Sequence, residues 1–222
     1  MSLGSYITNI PNPSRARLDS WVRKAAEGLP DGAVVLDAGA GAGPYRSLFA
    51  DGVTYESADI AQIAKRYTDL TYVCDLTAIP VEERRFDRVI CNQVLEHVAA
   101  PAAVLAELHR VLKPGGELWV SAPLFYEEHE KPYDFYRYTQ FGWRHLAASA
   151  GFVVRDLEWV EGYYGTFSYQ LAMAARHLPK RDFGVRVVAG LAAHYFARRE
   201  LAVKVVDRGM PKNYACVLVK EQ

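Results

Sequence analysis

Several short stretches of this 222-residue chain carry residues whose types and spacing can do chemistry. The first is Asp37-Ala38-Gly39-Ala40-Gly41-Ala42-Gly43-Pro44. Glycine tolerates positive φ and has no Cβ, so a second molecule can lie directly on this backbone. A dinucleotide fingerprint G-x-G-x-x-G needs glycine at 44 counted from Gly39, or at 46 counted from Gly41. Pro44 and Arg46 stand there instead. A pyrophosphate also favours free N–H groups at a helix start, and Pro44 removes one. The loop therefore suits a nucleoside without phosphates, and Asp37 suits a ligand carrying positive charge. Asp59, about 20 residues past the first glycine, is placed to accept both ribose hydroxyls. Asp75 can accept from an exocyclic adenine amine while Leu76 covers the ring.

Two further clusters offer acids, bases and cations. Glu96-His97 follows a strand, and His97 can act as a general base near neutral pH. The plainer alternative is a helix-start histidine bonded to backbone. The second cluster, Phe125 to Thr139, combines a histidine, carboxylates, aromatic rings and Arg137. One reading makes His129 or Asp134 a base, with Arg137 binding an anionic or hydroxyl-rich substrate. The other has Arg137 pinning the loop to a carboxylate while the tyrosines pack over a sheet. A metal at Glu127, His129 and Asp134 fits no usual ligand spacing, so no metal is expected there.

The elements that must position these residues alternate. Val34–Ala38 reads as a buried strand, followed by the glycine turn and the start of a helix. Strands follow at 53–60, ending in Asp59, at 71–76, and from Phe86 into the polar turn Asn92-Gln93. A helix over Pro101–Leu112 turns Val104, Leu105, Leu108, Val111 and Leu112 inward, and Glu117–Ser121 is a fifth strand. This alternation calls for an α/β doubly wound parallel sheet. A helix through about Gly28 precedes it, with Leu18, Trp21, Val22 and Ala25 on one face. A helix from about Thr139 to Ala150, a sixth strand over 152–160 and a seventh over 213–220 complete the pattern.

Taken in order, D-A-G-A-G-A-G, an acid ending strand two, D-L after strand three, F-D-x-V-x-x-x-x-V-L-E-H and L-K-P-G-G resemble the class I S-adenosylmethionine-dependent methyltransferases. The likeness is to the methyltransferase type 11 branch that includes ubiquinone and menaquinone C-methyltransferases. It covers about residues 30–160 and the last strand. The resemblance implies a seven-stranded Rossmann-like sheet with an antiparallel last strand, and S-adenosylmethionine as cofactor, leaving as S-adenosylhomocysteine. It implies that Gly39, Gly41 and Gly43, with Asp37, approach the methionine part, and that Asp59 and Ile60 lie at the ribose. Asp75 and Leu76 would flank the adenine, with Asn92 and Gln93 beside the cofactor. The H-x-x-P-x-D-x-Y-R-Y-T run over His129–Thr139 looks like a subset associated with cell-surface sugar or lipid modification. The implied activity is methyl transfer to a small-molecule or lipid- or sugar-linked acceptor, with His129, Asp134, Arg137 and His97 as candidate catalytic residues. The sulfonium is already a good leaving group, so the protein mainly aligns the nucleophile. A base is needed only where that nucleophile arrives protonated. Tyr6 and Arg15 would close over the cofactor from the N-terminal cover.

Composition sets limits. With 26 basic and 26 acidic residues the formal net charge is zero, which argues against nucleic acid as a partner. No N-P-P-Y-like or paired-cysteine signature follows the fourth strand, where Asn92-Gln93-Val94-Leu95 stands, which also disfavours a nucleic-acid methyltransferase. Pro44 disfavours a nicotinamide oxidoreductase. A non-catalytic S-adenosylmethionine-binding module is a further alternative, against which the histidine- and acid-rich substrate face speaks. Three cysteines without metal-ligand spacing read as free thiols in a reducing, cytoplasmic setting. Neither an apolar leader nor a membrane-spanning run is expected. One domain is expected: an N-terminal helical cover over 1–29, a core over 30–160, a helical insertion over 162–212, then the last strand. The insertion should hold helices near 166–178 and 183–206. The second is rich in arginine and offers Val187, Val188, Leu191, Tyr195 and Phe196. It reads either as a peripheral membrane contact for anionic lipid or as a cap or homodimer face.

Overall fold

A computed structural model of the chain describes residues 9–62 and 67–221. Tyr6 lies outside the described residues. Seven strands, β1 (Val34–Ala38), β2 (Thr54–Asp59), β3 (Tyr72–Val73), β4 (Phe86–Asn92), β5 (Leu112–Pro123), β6 (Phe152–Trp159) and β7 (Asn213–Lys220), form one sheet in the order β3-β2-β1-β4-β5-β7-β6. Strands β3 to β5 run parallel, with Val35 opposite both Tyr55 and Arg88, and the last strand is antiparallel. The order reverses between β1 and β4, the switch point where ligands bind beyond the carboxyl ends of parallel strands. Among the described residues, five α-helices accompany the sheet: α1 (Pro13–Ala26), α2 (Pro101–Val111), α3 (Gln140–Ser149), α4 (Tyr163–His177) and α5 (Phe183–Ala202).

Local rules explain the elements around the switch point. Val35, Leu36, Val89, Ile90, Leu118 and Val120 have no exposed surface, as central strands covered on both faces require. Proline opens α2, where its missing N–H costs nothing, and Val104, Leu105, Leu108 and Val111 are fully buried. The Thr139 hydroxyl accepts from the Gly142 amide at 3.1 Å and caps α3. The expected inward face of α1 is present: Leu18, Trp21, Val22 and Ala25 are buried, with Trp21 packed on Trp119 at 5.1 Å between ring centroids.

Three expectations about elements need correction. The helix expected after the glycine loop is a single 3₁₀ turn, Arg46–Leu48. The chain must reach β2 within a few residues, and one turn suffices to sink Tyr45 and Phe49. β5 begins at Leu112 rather than Glu117, because Leu112 already pairs with Phe86 and Lys113-Pro114-Gly115-Gly116 bulges out opposite Asp87, with Gly115 at φ of +78°, before Glu117 pairs with Arg88. Cys74 falls just beyond the two-residue β3, whereas Cys91 and Cys216 are buried in strands.

The chain divides into two compact units. One comprises Ser20–Glu158 with the segment from Tyr214 onward, and therefore holds all of the sheet except Trp159 and Asn213 at the ends of β6 and β7. The other joins the residues up to Asp19 with Trp159–Asn213. In this second unit α4 and α5 pack through small residues, with Ala175 and Ala189 against Leu171, Ala174 and Val187. Val188, Leu191 and Tyr195 on α5 are exposed. Arg15 makes an exposed ion pair with Asp19 at 3.1 Å. No helix among the described residues is long and apolar enough to cross a membrane.

The second unit depends on buried Glu200. Its carboxylate accepts from the Gly162 and Gly165 amides, at 2.8 and 3.0 Å, at the start of α4. It also pairs with Arg17 at 3.0 Å. Amides at a helix N-terminus and a guanidinium both favour negative charge. Glu200→Ala strands these donors and is expected to lower stability by about 2–4 kcal/mol. Urea titration of the variant checks this, and an unchanged midpoint would contradict the assigned role.

Candidate active site

The parallel strands of the sheet unit end around one cavity of about 330 Å³. Gly39, Asp59, Ile60, Asp75 and Leu76 line it from the β1, β2 and β3 side. Gln93, Val94, His97, Val98 and Ala99 line it from the segment after β4. Glu130, Tyr133 and Phe135 contribute from the loop after β5. Six residues singled out from sequence, in four separated stretches, thus face the same space with His97.

Backbone hydrogen bonds fix the glycine loop. The amides of Gly39 and Ala40 both donate to the Ala58 carbonyl, at 2.7 and 3.1 Å. Gly39 has φ of +82°, and a Cβ there would fall 2.3 Å from a Val94 methyl carbon. Only glycine fits against the cavity wall at this point. Gly41 differs, since a Cβ would meet nothing within 4 Å and its side-chain space is open. The Gly41 amide donates to Asp59 Oδ2 at 3.0 Å, and Ala61 donates to Oδ1 at 2.9 Å. Each carboxylate oxygen of Asp59 keeps capacity for a further donor. Asp75 receives the Thr77 amide and hydroxyl on Oδ1, both at 2.8 Å.

Other predicted residues lie outside this lining. Gly41, Gly43, Asp37 and Asn92 are not among the residues lining the cavity. Asp37 is buried and accepts from the Tyr55 hydroxyl. Burial raises its pKa to about 6, the Tyr55 bond opposes the rise, and the Asp59 charge adds to it. Asn92 donates to the Tyr45 hydroxyl and accepts from Ser121. Gln93 adopts φ of +58° and bonds Ser121 through its backbone and its side chain. This left-handed turn is uncommon for a residue other than glycine, and it sends the chain after β4 toward the cavity.

The loop after β5 is fastened to the 3₁₀ turn Leu95–His97. The Tyr138 hydroxyl donates to the Leu95 carbonyl at 2.7 Å, and the Phe135 amide to the Glu96 carbonyl at 2.8 Å. Arg137 forks onto both oxygens of Asp134, at 2.6 and 2.8 Å. Its remaining donors reach the carbonyls of Tyr126, Glu127 and Tyr136. This is the loop-pinning arrangement, and it holds the Asp134 carboxyl well below its usual range. Asp134 also accepts from the His129 amide at 2.8 Å.

His97 and His129 meet across the two segments, with Nε2 atoms 3.1 Å apart and ring centroids 4.5 Å apart. His97 Nδ1 lies 2.6 Å from the Tyr133 carbonyl. Burial lowers the His97 pKa, the Tyr133 carbonyl opposes this, and His129 lowers it further. His129 backs His97 and is not among the lining residues. Beneath both, Glu96 is fully buried, and neither carboxylate oxygen has a hydrogen-bond partner. Burial pushes its carboxyl up to about 8. Sequence reading placed Glu96 beside His97 but gave it no role of its own. Its full burial in a turn shorter than one helical repeat has no periodic signature.

Comparison with known proteins agrees with this geometry. Residues 36–120 match the family described as a methyltransferase domain. The ubiquinone biosynthesis O-methyltransferase of Pseudomonas paraeruginosa is 32% identical over 122 residues, covering 50% of this chain and 50% of that protein. The demethylmenaquinone methyltransferase of Renibacterium salmoninarum is 37% identical over 103 residues, covering 43% of this chain and 44% of that protein. The chain therefore spans about half the length of these curated relatives. Among solved structures, a 1,6-didemethyltoxoflavin-N1-methyltransferase of Burkholderia thailandensis with bound S-adenosylhomocysteine superposes with a TM-score of 0.56 at 21% identity. That likeness covers 95% of this chain and 79% of that one, and it shows a common fold. The matched segment runs from β1 into β5 and contains the glycine loop and all three strand-end acids, so residues 36–120 are a methyltransferase domain of the S-adenosylmethionine-dependent class.

Proposed function

We propose that this chain methylates a small-molecule acceptor, free or carried on a lipid or sugar, using S-adenosylmethionine. The observation that carries the reading is a single cavity with nucleoside-type acids at one end and an imidazole at the other. Asp59 would take the ribose hydroxyls, Asp75 and Leu76 the adenine, and the open backbone at Gly41 the methionine part. Asp37, ionised above its raised pKa, would supply negative charge behind the loop for the ammonium group. When bound, the cofactor supplies an activated methyl group. His97 would accept a proton from the acceptor, with its ring held by the Tyr133 carbonyl and backed by His129. Asp134 and Arg137 would keep that wall in place, while Tyr133 and Phe135 contact the acceptor's apolar surface. Relatives named for ubiquinone biosynthesis and for demethylmenaquinone support a ring-bearing acceptor against this apolar wall. Transfer from labelled cofactor to a metabolite extract, with mass identification of the product, tests the reading. Calorimetry that detects NAD but not S-adenosylhomocysteine would contradict it.

Asp59→Ala is expected to weaken S-adenosylhomocysteine binding by about 2–3 kcal/mol, the scale for losing hydrogen bonds to a charged group. Isothermal titration of the folded variant measures it, and unchanged affinity would remove Asp59 from the ribose site.

Asp37 trades stability for charge. Its folded pKa of about 6 lies above the ordinary value of 3.8, so the folded state holds the proton more tightly than the unfolded chain. Stability from this group is full below the ordinary value and is lost as pH rises through the folded one. Asp37→Asn keeps an acceptor for Tyr55 and removes the buried charge. At pH 7.5 the variant should be more stable than the parent by about 1–3 kcal/mol, and the gain should vanish near pH 4. It should also bind the cofactor more weakly. Urea midpoints at the two pH values decide this, and a variant less stable at both refutes the assignment.

A further inference from the structure

We propose that His97, His129 and Glu96 form a binding site for a divalent transition-metal ion on the cavity wall. Hydrogen-bond bookkeeping at the two imidazoles leads there. His97 Nδ1 lies 2.6 Å from the Tyr133 carbonyl oxygen, which can only accept. Nδ1 therefore carries the hydrogen, and Nε2 of the neutral ring presents a lone pair. His129 Nδ1 lies 3.2 Å from the Glu127 carbonyl and 3.4 Å from an Asp134 carboxylate oxygen. Both are acceptors, so the same assignment holds for His129. With both rings neutral, the two Nε2 atoms, 3.1 Å apart, face each other as acceptors, and a cation between them satisfies both lone pairs.

Glu96 makes the independent case. Its carboxylate is fully buried with both oxygens unpartnered, and Oε1 lies 3.9 Å from His97 Nε2. One ligand atom from each of the three residues falls within 4.8 Å of the others. An unpaired buried carboxylate is expensive, and a cation at this point satisfies it together with both nitrogens. The nitrogen pair suits a metal, and the Glu96 oxygen, 3.9 Å from His97 Nε2, would move inward by about half an ångström to complete a tetrahedral angle. With metal–nitrogen bonds of about 2.0–2.1 Å, nitrogens 3.1 Å apart subtend about 100° at the ion. The outer shell is also of the required kind, since each Nδ1–H points at a carbonyl or carboxylate that fixes ring and tautomer. Two imidazoles and a carboxylate suit zinc, iron(II), cobalt(II) or nickel(II) better than magnesium or calcium. His97 lines the cavity, so an ion held there would keep an open position toward it. A Lewis acid at that position would hold and acidify a hydroxyl or enol oxygen of the acceptor, and with the ion bound His97 would serve as its ligand in place of accepting the proton itself. That use rests on the methyl-transfer reading, whereas the binding of the ion does not.

Cobalt(II) is the direct probe, because its visible absorption reports coordination without any turnover. Protein dialysed against chelator is expected to take up one cobalt(II) per chain and develop ligand-field bands. His129→Ala and Glu96→Gln should each weaken uptake by more than the roughly 10–100-fold that loss of an outer-shell partner costs. His129 is partly exposed, so its variant is expected to fold even where a change at buried Glu96 disturbs packing. Absence of stoichiometric uptake by the parent protein overturns the site, as does uptake unchanged in both variants. S-adenosylhomocysteine titrated into the same preparations separates the two readings. Binding of the nucleoside without cobalt defeats the metal site alone. Cobalt bound as expected without the nucleoside upholds the metal site and defeats the methyl-transfer reading.

Discussion

One backbone acceptor organises the cofactor end of the cavity. The Ala58 carbonyl at the end of β2 takes both the Gly39 and the Ala40 amides. That shared acceptor bends the chain leaving β1 across the end of β2. The Gly41 amide then reaches the carboxylate of the very next residue, Asp59. The loop geometry and the acid's orientation are thus one constraint. Gly39 must lack a side chain because the turn presses it against Val94, which stands beside the left-handed Gln93 at the end of β4. The ends of three parallel strands are in this way locked to one another before any ligand arrives, which is what a preorganised site requires.

The end proposed for the acceptor is built differently. The segment after β4 supplies His97 and its neighbours, and a long polar loop after β5 supplies Glu130, Tyr133 and Phe135. Such a loop loses substantial conformational entropy when it orders. Arg137 offsets that loss by spending its guanidinium on Asp134 and three backbone carbonyls. Tyr138 and Phe135 then tie the ordered loop to the Leu95–His97 turn. Arginine suits this task because its planar fork satisfies a carboxylate and several carbonyls at once. A lysine would hold one partner at a time. The loop chemistry that read equally well as substrate binding is, in the folded chain, engaged in positioning.

What the sequence disclosed follows from the range of the interactions involved. Parallel strands announce themselves as apolar runs, and acids at their ends are fixed by counting. Asp59, Asp75 and Leu76 accordingly reach the cavity as expected. The same local reading found the face of α1 and the cap at Thr139. It overextended the glycine loop into a helix, because the distance to β2 is a tertiary quantity. It also gave Asp37 no burial, although the Tyr55 hydroxyl covers that carboxylate from the neighbouring strand. The pairing of His97 with His129 spans 32 residues and two loops, and no periodicity connects them. Glu96 was visible only as the neighbour of a histidine. Contacts between irregular segments have no sequence period, and the chemistry nearest the acceptor lies among them.

Two opposite behaviours stand out among the acids of the sheet unit. Glu56, Asp87, Glu107 and Asp134 each accept from an arginine or lysine, and each is held below its ordinary pKa. These pairs serve the scaffold, since their stabilisation is present above the ordinary carboxylate range and is lost only as pH falls. Asp37 and Glu96 are buried and are pushed up instead, to about 6 and about 8. Neither has an arginine or lysine hydrogen-bonded to its carboxylate among the described residues. A scaffold gains nothing from a buried carboxylate left in this condition, and replacement by a neutral side chain would relieve it. Their positions supply the reason for retaining them. Asp37 lies behind the loop where a cationic ligand is expected, and Glu96 lies beneath two imidazole nitrogens that both present lone pairs. In the proposed reading the missing counter-charge would in each case come from something that binds, which would put these two acids at the two ends of the working site.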